Sequence, residues 1–585
     1  MKKKLVSMVL VASMAFGLAA CGSSDAGEKS QAAGSDGTDA AAVTSTKEDK
    51  TTLNIFMASE PDHLDPALNS AVDGGCLAVN SFEGLMRYNE SGTLETACAE
   101  SYTVSDDGLV YTFTMRDGLT WSNGDALDAT DFVYSWKRAA SPEVAADYSY
   151  LCDIFPGYDS AADNGPIVDT AAFDSAFVAS DDGKTLTVTL KAVCPYFLDL
   201  CAFPFFFPVD EEVVEPTVTA DNPAGTWSLD AGDAFVSNGA YKLESWNHDA
   251  DMTYVKNDSY WDADSVSVTT LNVMLTSDDV AAYTAYQTGD LDFVDSIPTA
   301  EMQTAMQSSE FVVADNLGTY YVGFNYNSDL YSKLGLDEEQ AKVFRHALTL
   351  LIDRQYIIDN IGQTSQKIAT TFIPEGCVDG NGGEFKNKDY YSTDYEANVA
   401  EAKSLLESIG LYDTASDALT QTVAFTYLTN NSESNVRIAE AIQADLATIG
   451  IDMSIEQQEW ATFLNTRKNG DFDIAREGWI MDYNDPINML EMWVTSSGNN
   501  DCQFGKDDGK ALDWSYYDNL ISEIRTEADL AKRAELMHTA EDYLMDTWCV
   551  VPIYYYNDPY MVKDYVKGVY CTVEGMKYFY HATIQ

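Results

Sequence analysis

The chain has 585 residues, more than one hydrophobic core usually holds, so two or three domains are expected. Apolar residues make up 46% of it, which is enough for globular cores, and its net charge of −60 argues against binding nucleic acid or anionic lipid surfaces. The five histidines are dispersed and the ten cysteines include no CxxC pair, so we predict no metal site and no cofactor.

Residues 1–20 have the pattern of a secretory signal peptide. Lys2 to Lys4 form a positive segment, and residues 5–16 form an apolar segment that is too short to span a bilayer of about 30 Å. Small residues then lead directly to Cys21 in the sequence LAACGS. This ending resembles the lipobox of bacterial lipoproteins, which implies cleavage before Cys21 and a lipid on its sulfur. An ordinary signal peptide that contains a cysteine is the alternative.

Residues 21–50 predict a flexible tether that the lipid anchors. They are rich in Gly, Ser, Ala and Asp and contain almost nothing to bury. No later stretch has the length and apolar character of a transmembrane helix, so the lipid would be the sole anchor. We therefore expect an extracytoplasmic protein attached to the outer face of the bacterial cell membrane, or a periplasmic one.

Two similar segments predict a β-rich region. VSDDGLVYTFTMRDG (104–118) and ASDDGKTLTVTLK (179–191) each place Asp-Asp-Gly before a run that alternates apolar and polar residues. A period of two is that of strands buried on one face, and Asp-Gly supplies the turn.

Helical patterns alternate with extended segments later in the chain. Residues 337–351, 398–409 and 434–449 each carry an apolar stripe of helical period with acidic residues on the far face. Residues 420–428 and 451–458 are extended apolar segments that predict strands. This alternation predicts an α/β domain.

The common enzyme motifs are absent from the sequence. We find no G-x-S-x-G elbow, no HExxH and no Walker A loop, and the 94 acidic residues are too numerous for a catalytic pair to be recognised by spacing. We therefore predict that the protein is not an enzyme. A secreted hydrolase, the alternative, would need a nucleophile or a metal cluster.

The segment TWSNGDALDATDFVYSWKRAASP (120–142) predicts a helix that begins with Thr130 or Asp131 near its cap and buries Phe132, Val133 and Trp136. It also closely resembles a segment of the solute-binding proteins that serve bacterial peptide importers of the ABC type, in their oligopeptide branch. These proteins form the extracellular solute-binding family 5.

The resemblance continues in order along nearly the whole mature chain. The further matching segments are LDP (64–66), FEGLMRYN (82–89), SNGAYKLESW (237–246), YWDADSVSVTTL, YQTGDLDF (286–293), FRHALTLLIDRQYII and QEWATFLNTRKNGDFDIAREGWIMDYNDP (458–486). The last of these is the most specific.

The resemblance implies a periplasmic-binding-protein-like α/β fold of type II, in which two lobes close on a ligand about a hinge and an extra β-rich domain extends the first lobe. The expected parts are lobe I (51–84, 210–316 and 552–585), the β-rich domain II (85–209) and lobe III (317–551), with crossings between the lobes near 316–318 and 550–553.

The implied function is that of an extracytoplasmic substrate-binding lipoprotein. It would be a monomer that captures oligopeptides between its lobes and delivers them to the permease and ATPase subunits of an ABC importer. A receptor on the same scaffold for dipeptides, signalling peptides or another small solute, such as a sugar or a nickel chelate, is the alternative. Asp482 favours a ligand that carries an amine, because an acid in apolar company is costly unless it is paired.

The resemblance implies roles for three charged residues of the segment 458–486. Asp482 matches the aspartate that pairs with the peptide's α-ammonium, and the alternative is that it caps the turn at 484–486. Arg467 and Arg476 match arginines that line the site and can meet the peptide's carboxylate, for which the guanidinium geometry is suited. An internal ion pair is the alternative for both arginines.

Uncharged candidates complete the expected site. Trp479, Tyr483 and Tyr321 would form walls against the ligand, with plain core as the alternative, and Asn484 is assigned to the same site. Residues 320–325, YYVGFN, match a crossing segment whose extended backbone pairs with the ligand as a strand. This match adds Tyr320 and Asn325 to the candidates.

Three family features are changed in this sequence. A lysine and a histidine of close relatives correspond to Gly362 and Asn435, and a cysteine pair that flanks the site corresponds to Gly318 and Ile480. Two basic anchors for the carboxylate are thus missing, that disulfide cannot form, and Asn435 stays a candidate contact. Whether the other nine cysteines are bridged or reduced is left open.

Overall fold

A long mixed β-sheet runs through the part of the chain that the computed structural model describes. This part comprises residues 47–57, 59–160, 162, 164–380, 383–506 and 513–585. The signal peptide, the lipidation site at Cys21 and nearly all of the tether lie outside the described residues, so the expectations for them stay predictions.

The secondary structure mixes short and long elements. The strands are β1 (Thr52–Phe56), β2 (Met86–Tyr88), β3 (Leu94–Thr96), β4 (Ala99–Val104), β5 (Val110–Met115), β6 (Phe177–Ala179), β7 (Thr185–Thr189), β8 (Tyr241–Asn247), β9 (Asp251–Lys256), β10 (Thr270–Met274), β11 (Phe293–Val294), β12 (Phe311–Phe324), β13 (Lys367–Ile368), β14 (Tyr412–Asp413), β15 (Ala418–Leu419), β16 (Ala424–Asn430), β17 (Asp452–Gln458), β18 (Ile474–Ile480), β19 (Val550–Val562), β20 (Val566–Lys567), β21 (Tyr570–Cys571), β22 (Lys577–Tyr578) and β23 (Thr583–Ile584). The helices are α1 (Val72–Ser81), α2 (Ala129–Ala139), α3 (Thr170–Ser175), α4 (Phe197–Leu200), α5 (Glu211–Val214), α6 (Asp279–Thr288), α7 (Met302–Ala305), α8 (Leu330–Lys333), α9 (Glu338–Leu350), α10 (Arg354–Ile357), α11 (Tyr395–Ser408), α12 (Glu433–Ala447), α13 (Trp460–Lys468), α14 (Ile487–Glu491), α15 (Ser515–Thr526) and α16 (Leu530–Asp546). Within the described ranges, no helix has both the length and the apolar character that crossing a membrane requires.

Two long antiparallel strands, β12 and β19, lie at the centre of the long sheet. The strand order is β17-β16-β18-β12-β19-β11-β1-β10-β9-β8, with β13 beside β19. The register of the central pair shifts between Asp315 and Thr319, where the first crossing is predicted, and again between Tyr320 and Tyr321, opposite Ile553. Both shifts fall within or beside the expected crossings, and the lobe boundaries themselves stay a prediction.

A separate four-stranded sheet, with the order β4-β5-β7-β6, forms in the range expected for domain II. Its strands β5 and β7 come from the two alternating segments and are antiparallel neighbours, with Phe113 opposite Leu186. Both side chains are fully buried, as a period of two with one buried face requires. The prediction that the two segments belong to one β-rich region is confirmed.

The predicted helices form close to their expected positions as α9, α11 and α12. The start of α2 confirms the expectation that Thr130 and Asp131 lie near the cap, and it identifies Asp128 as the N-cap residue. The Asp128 carboxylate accepts from the Thr130 N–H at 2.7 Å, and the Asp131 carboxylate accepts from the Asp128 N–H at 2.8 Å. This reciprocal capping box satisfies N–H groups that the first helical turn leaves unpaired.

The cysteines of the described residues are all free thiols. They are Cys76, Cys98, Cys152, Cys194, Cys201, Cys377, Cys502, Cys549 and Cys571. All but Cys571 are buried, where they pack as small apolar side chains.

Candidate ligand-binding site

A cavity of about 470 Å³ lies against one face of the central strands. Tyr320 of β12, Gly478 of β18 and Tyr554 of β19 line it, and both Gly478 and Tyr554 are register partners of Tyr320. The volume is in the range of pockets that hold small molecules or short ligands. The remaining lining comes from distant segments and includes Asn69–Asp73, Tyr148, Phe203, Asp295–Ile297, Asn430–Ser432, Trp460 and Glu574.

Gly478 allows a tyrosine to reach into this wall of the cavity. A Cβ atom at position 478 would lie 2.2 Å from the hydroxyl oxygen of Tyr556, so no larger residue fits without moving that ring. The Tyr556 hydroxyl in turn accepts a long hydrogen bond of 3.5 Å from Nη2 of Arg476. The absence of a side chain at 478 thus helps to position a neighbouring cation.

Asp482 faces the cavity as a buried carboxyl group. Its Oδ1 accepts from the Tyr148 hydroxyl at 3.1 Å, and its Oδ2 accepts from the Asn488 side-chain amide at 2.8 Å. Burial raises the pKa of Asp482 to about 7, although these two hydrogen bonds act in the opposite direction. In the described part of the chain no cation forms an ion pair with it. The carboxyl group therefore has hydrogen-bond donors but no counter-charge.

The turn at 484–486 is capped by Asp485 and not by Asp482, whose alternative role this was. Asp485 accepts from the Ile487 N–H at 3.1 Å and forms a two-bond ion pair with Arg533 at 2.8 and 2.9 Å. The turn therefore has its own carboxylate, and the side chain of Asp482 remains directed at the cavity.

The two candidate arginines line the cavity but differ in their partners. Arg467 makes the internal ion pairs that were its alternative role, with Glu477 at 2.8 Å and Asp501 at 2.7 Å. Arg476 has no carboxylate partner among the described residues. Its guanidinium lies 5.5 Å from the ring centre of Tyr320 and 5.6 Å from that of Trp460, and its Nε is buried without a hydrogen-bond partner.

The aromatic candidates divide between the cavity and the core. Tyr320 and Trp479 line the cavity. Tyr321 points to the opposite face of β12, since successive residues of a strand alternate, and it packs against Trp493 at 6.0 Å. Tyr483 stacks on Tyr196 at 4.3 Å, and its hydroxyl donates to Glu491 at 2.5 Å. The structure therefore places Tyr321 and Tyr483 in the core, which was their alternative role.

Two of the three candidate asparagines also lie outside the cavity. Asn325 donates its amide to the Gly470 carbonyl at 2.7 Å and the Phe472 carbonyl at 3.0 Å, so it holds a loop. Asn484 is exposed and accepts from the Val378 N–H at 3.1 Å. Both side chains form hydrogen bonds within the protein.

The expectation that 320–325 pairs with the ligand as a strand needs correction. Residues 318–324 of β12 pair with β18 on one side, and residues 319–323 pair with β19 on the other. Because strands pair with both edges of this segment, its backbone N–H and C=O groups are not available to pair with a ligand strand. A ligand can meet only the side chains of that face.

Positions where family features are changed do lie around the cavity. Gly362 and Asn435 line it, and the Asn435 amide donates to the side chain of Asn430 at 2.8 Å. Gly318 lies directly opposite Ile480 in the register of β12 and β18, as positions of a cysteine pair would. The alignment of these four positions therefore fits the geometry.

Several lining residues were missed by sequence reasoning. Tyr148, Lys468, Glu574 and Lys577 line the cavity, and the Asn488 side-chain amide donates to Asp482 at 2.8 Å. Lys468 lies in the matching segment 458–486 without a role implied by the resemblance, and the others lie in no periodic pattern or quoted motif. They reach the site through long-range folding of the chain.

Comparison with known proteins gives the family. The family model of bacterial extracellular solute-binding proteins, family 5 (middle), matches residues 93–501. The oligopeptide-binding protein OppA of Bacillus subtilis (strain 168) is 33% identical over 543 residues, which cover 91% of this chain and 92% of OppA. The chain belongs to family 5 of the bacterial extracellular solute-binding proteins, and the resemblance inferred from its motifs is confirmed.

Solved structures confirm the predicted fold. The structure of the Escherichia coli murein tripeptide binding protein MppA matches with a TM-score of 0.80 at 27% identity, over 92% of this chain and 99% of that one. The unliganded open form of MppA gives a TM-score of 0.58 over 93% and 99% of the two chains. The chain thus has the periplasmic-binding-protein-like α/β fold.

Proposed function

We propose that this protein captures short peptides outside the cytoplasm and delivers them, chemically unchanged, to the permease and ATPase subunits of an ABC importer. The observation that carries the proposal is Asp482, a buried carboxyl group that faces a cavity and has no cationic partner among the described residues. Membership of family 5 and the likeness to an oligopeptide-binding protein of Bacillus subtilis support it.

The α-ammonium of a peptide is the partner that fits Asp482. Tyr148 and Asn488 hold both carboxylate oxygens in the structure, so the group is oriented for a ligand within the assembled cavity. Inside a cavity the attraction between opposite charges is stronger than in water, and it offsets the cost of removing both ions from solvent. An empty closed cavity leaves the carboxyl group unpaired, so closure without ligand is disfavoured.

The carboxylate of the peptide fits Arg476. Among the described cations that line the cavity, Arg467 is paired with Glu477 and Asp501, Lys468 is paired with Asp147, and Lys577 is paired with Asp295 and Asp558. Arg476 alone of these four has no acidic partner, and its buried Nε is free to donate. A guanidinium can hold a carboxylate through two parallel hydrogen bonds.

The distance between these two anchors limits the ligand. A strand rises about 3.3 Å per residue, so the four steps from Arg476 to Ile480 along β18 cover about 13 Å, and Asp482 lies two residues further. An extended peptide of about three to five residues spans a similar distance. Tyr320, Trp479 and Asn435 would then contact its middle residues.

The domain division supports a capture mechanism. Tyr148 belongs to the proposed domain II, Asp482 to lobe III and Glu574 to lobe I, so all three parts contribute to one cavity. Closing of the lobes on a hinge at the β12 and β19 crossings would assemble this site around the peptide. A lipid on Cys21 and the tether to residue 50 would keep the monomeric receptor beside its permease.

Native mass spectrometry tests this function. The purified mature protein is mixed with an equimolar set of tri- to hexapeptides and, separately, with neutral sugars. We expect complexes with intact peptides and none with sugars. Recovery of cleaved peptides would instead indicate a hydrolase, and complexes with sugars alone would contradict a peptide receptor.

A further inference from the structure

A second carboxyl group that has no cationic partner within the described ranges faces the same cavity. Glu574 lies in the turn between β21 and β22, where the Gly575 N–H donates to the Thr572 carbonyl at 2.9 Å. The Leu317 N–H of the β12 crossing donates to the Val573 carbonyl at 2.9 Å, which fixes the turn beside the central strands. This turn thus presents Glu574 to the cavity from a rigid support.

The side chain of Glu574 is buried and only partly satisfied. It is 7% exposed, and its Oε2 has no hydrogen-bond partner in the part of the chain that the structure describes. The ammonium of Lys577, three residues further on, is already held by Asp295 at 3.2 Å and Asp558 at 2.7 Å. Burial raises the pKa of Glu574 to about 7, to which the charge of Asp199 contributes.

Glu574 and Asp482 interact electrostatically. Both carboxyl groups line the same cavity, and the charge of Glu574 contributes to the raised pKa of Asp482. In the described structure neither has a cationic partner. A peptide's α-ammonium can neutralise one of them, and an ionised carboxylate left buried and unpaired is costly.

We propose that Glu574 is a subsite for a second cationic group of the ligand, namely a lysine or arginine side chain near the amino end of the peptide. The inference rests on the proposed peptide-binding function and gives it a side-chain preference. Tyr148, Phe203 and Trp479 line the same cavity and offer apolar surface to the methylene chain of such a residue.

The test compares peptides that differ only in that charge. Isothermal titration calorimetry at pH 8 measures the dissociation constants of Lys-Ala-Ala and Ala-Lys-Ala and of their norleucine counterparts. The proteins are the wild type, Glu574→Gln, and the control Glu440→Gln, which changes an exposed acid of α12. We expect the wild type and the control to bind at least one lysine peptide about tenfold more tightly than its norleucine counterpart. Glu574→Gln should remove this preference and change the affinity for norleucine peptides by less than about twofold.

Two results would overturn the inference and leave the proposed function intact. One is equal affinity of the wild type for lysine and norleucine peptides. This result would rule out a cation subsite even if the Glu574→Gln variant does not fold. The other is an equal loss for both kinds of peptide in Glu574→Gln, which would mean that Glu574 shares the α-ammonium. If the wild type binds none of the peptides, the proposed function itself fails.

Discussion

The hydroxyl group of Tyr148 donates a 3.1 Å hydrogen bond to Oδ1 of Asp482, 334 residues further along the chain. The side-chain amide of Asn488 donates to the other carboxylate oxygen at 2.8 Å. The proposed ammonium site is therefore assembled from two distant segments, and its geometry depends on both.

Loss of the Tyr148 hydroxyl should weaken peptide binding. Tyr148→Phe removes one of the two side-chain hydrogen bonds that hold Asp482, and a bond of this kind contributes about 0.5–1.5 kcal/mol. We expect calorimetry to show about a threefold to tenfold weaker affinity for a peptide with a free amine. The matched control is Tyr254→Phe in β9, because the buried Tyr254 hydroxyl has no hydrogen-bond partner among the described residues and lies outside the cavity. Equal losses in both variants would contradict the role given to Tyr148.

Peptide binding should release protons near neutral pH. The pKa of Asp482 is about 7, raised mainly by burial, and Glu491 and Glu574 add to the shift. An ammonium partner favours the ionised form, so below about pH 7 the ligand must displace a proton. Affinity is expected to rise from pH 5.5 to about 7.5 and to fall again only when the α-amino group, with a pKa of about 8, loses its own proton.

Calorimetry in two buffers of different ionisation enthalpy measures the proton release directly. At pH 6.5 the observed binding enthalpies should differ between the buffers, and Asp482→Asn should reduce that difference. An affinity that does not change between pH 5.5 and 7.5 would be incompatible with a titrating carboxyl group at the ammonium site.

Arg476 should select for a free peptide carboxylate. In Arg476→Met the charge-assisted hydrogen bonds to the carboxylate are lost, which corresponds to about 1.5–3 kcal/mol and a tenfold to hundredfold weaker affinity. Peptides with an amidated carboxyl end should bind the wild type and Arg476→Met about equally. The control Arg437→Met changes an exposed arginine of α12 and should have no effect. A similar loss for free and amidated peptides would refute the assignment.

Arg467 should matter for stability more than for ligand choice. Arg467→Met would leave Glu477 and Asp501, both buried, without their cation. Breaking a buried ion pair in this way typically costs about 3–5 kcal/mol, whereas an exposed pair such as Arg437–Glu433 contributes less than about 1 kcal/mol. Urea unfolding of Arg467→Met and Arg437→Met measures both values. A loss below about 1 kcal/mol for Arg467→Met would show that these charges are not truly buried.

Local periodicity was sufficient to predict several elements. The stripe that contains Phe344 and Leu348 predicted α9, and the alternating runs around Phe113 and Leu186 predicted β5 and β7. These signals succeed because the period of exposure follows directly from helix or strand geometry. The cavity residues Asp482, Arg476 and Trp479 were found differently, through an ordered series of motifs shared with a family.

The direction of individual side chains could not be predicted in the same way. Tyr321 and Tyr483 lie within or beside matched motifs, yet they pack against Trp493 and Tyr196, which are remote in the sequence. Glu574 is a single acid in the segment TVEGMK, and the residues next to it in the sequence do not predict that it is buried. Such placements depend on which distant surfaces meet when the chain folds.

The most direct test of the account compares free and N-acetylated forms of one peptide on the wild type and on Asp482→Asn. Acetylation removes the ammonium and keeps the backbone, and the substitution removes the carboxylate charge and keeps the side-chain shape. We predict that acetylation weakens binding to the wild type at least about tenfold, that Asp482→Asn weakens binding of the free peptide by a similar factor, and that the variant no longer distinguishes the two peptides. Equal binding of both peptides by the wild type, or full affinity of Asp482→Asn for the free peptide, would contradict the assignment of Asp482 as the ammonium site.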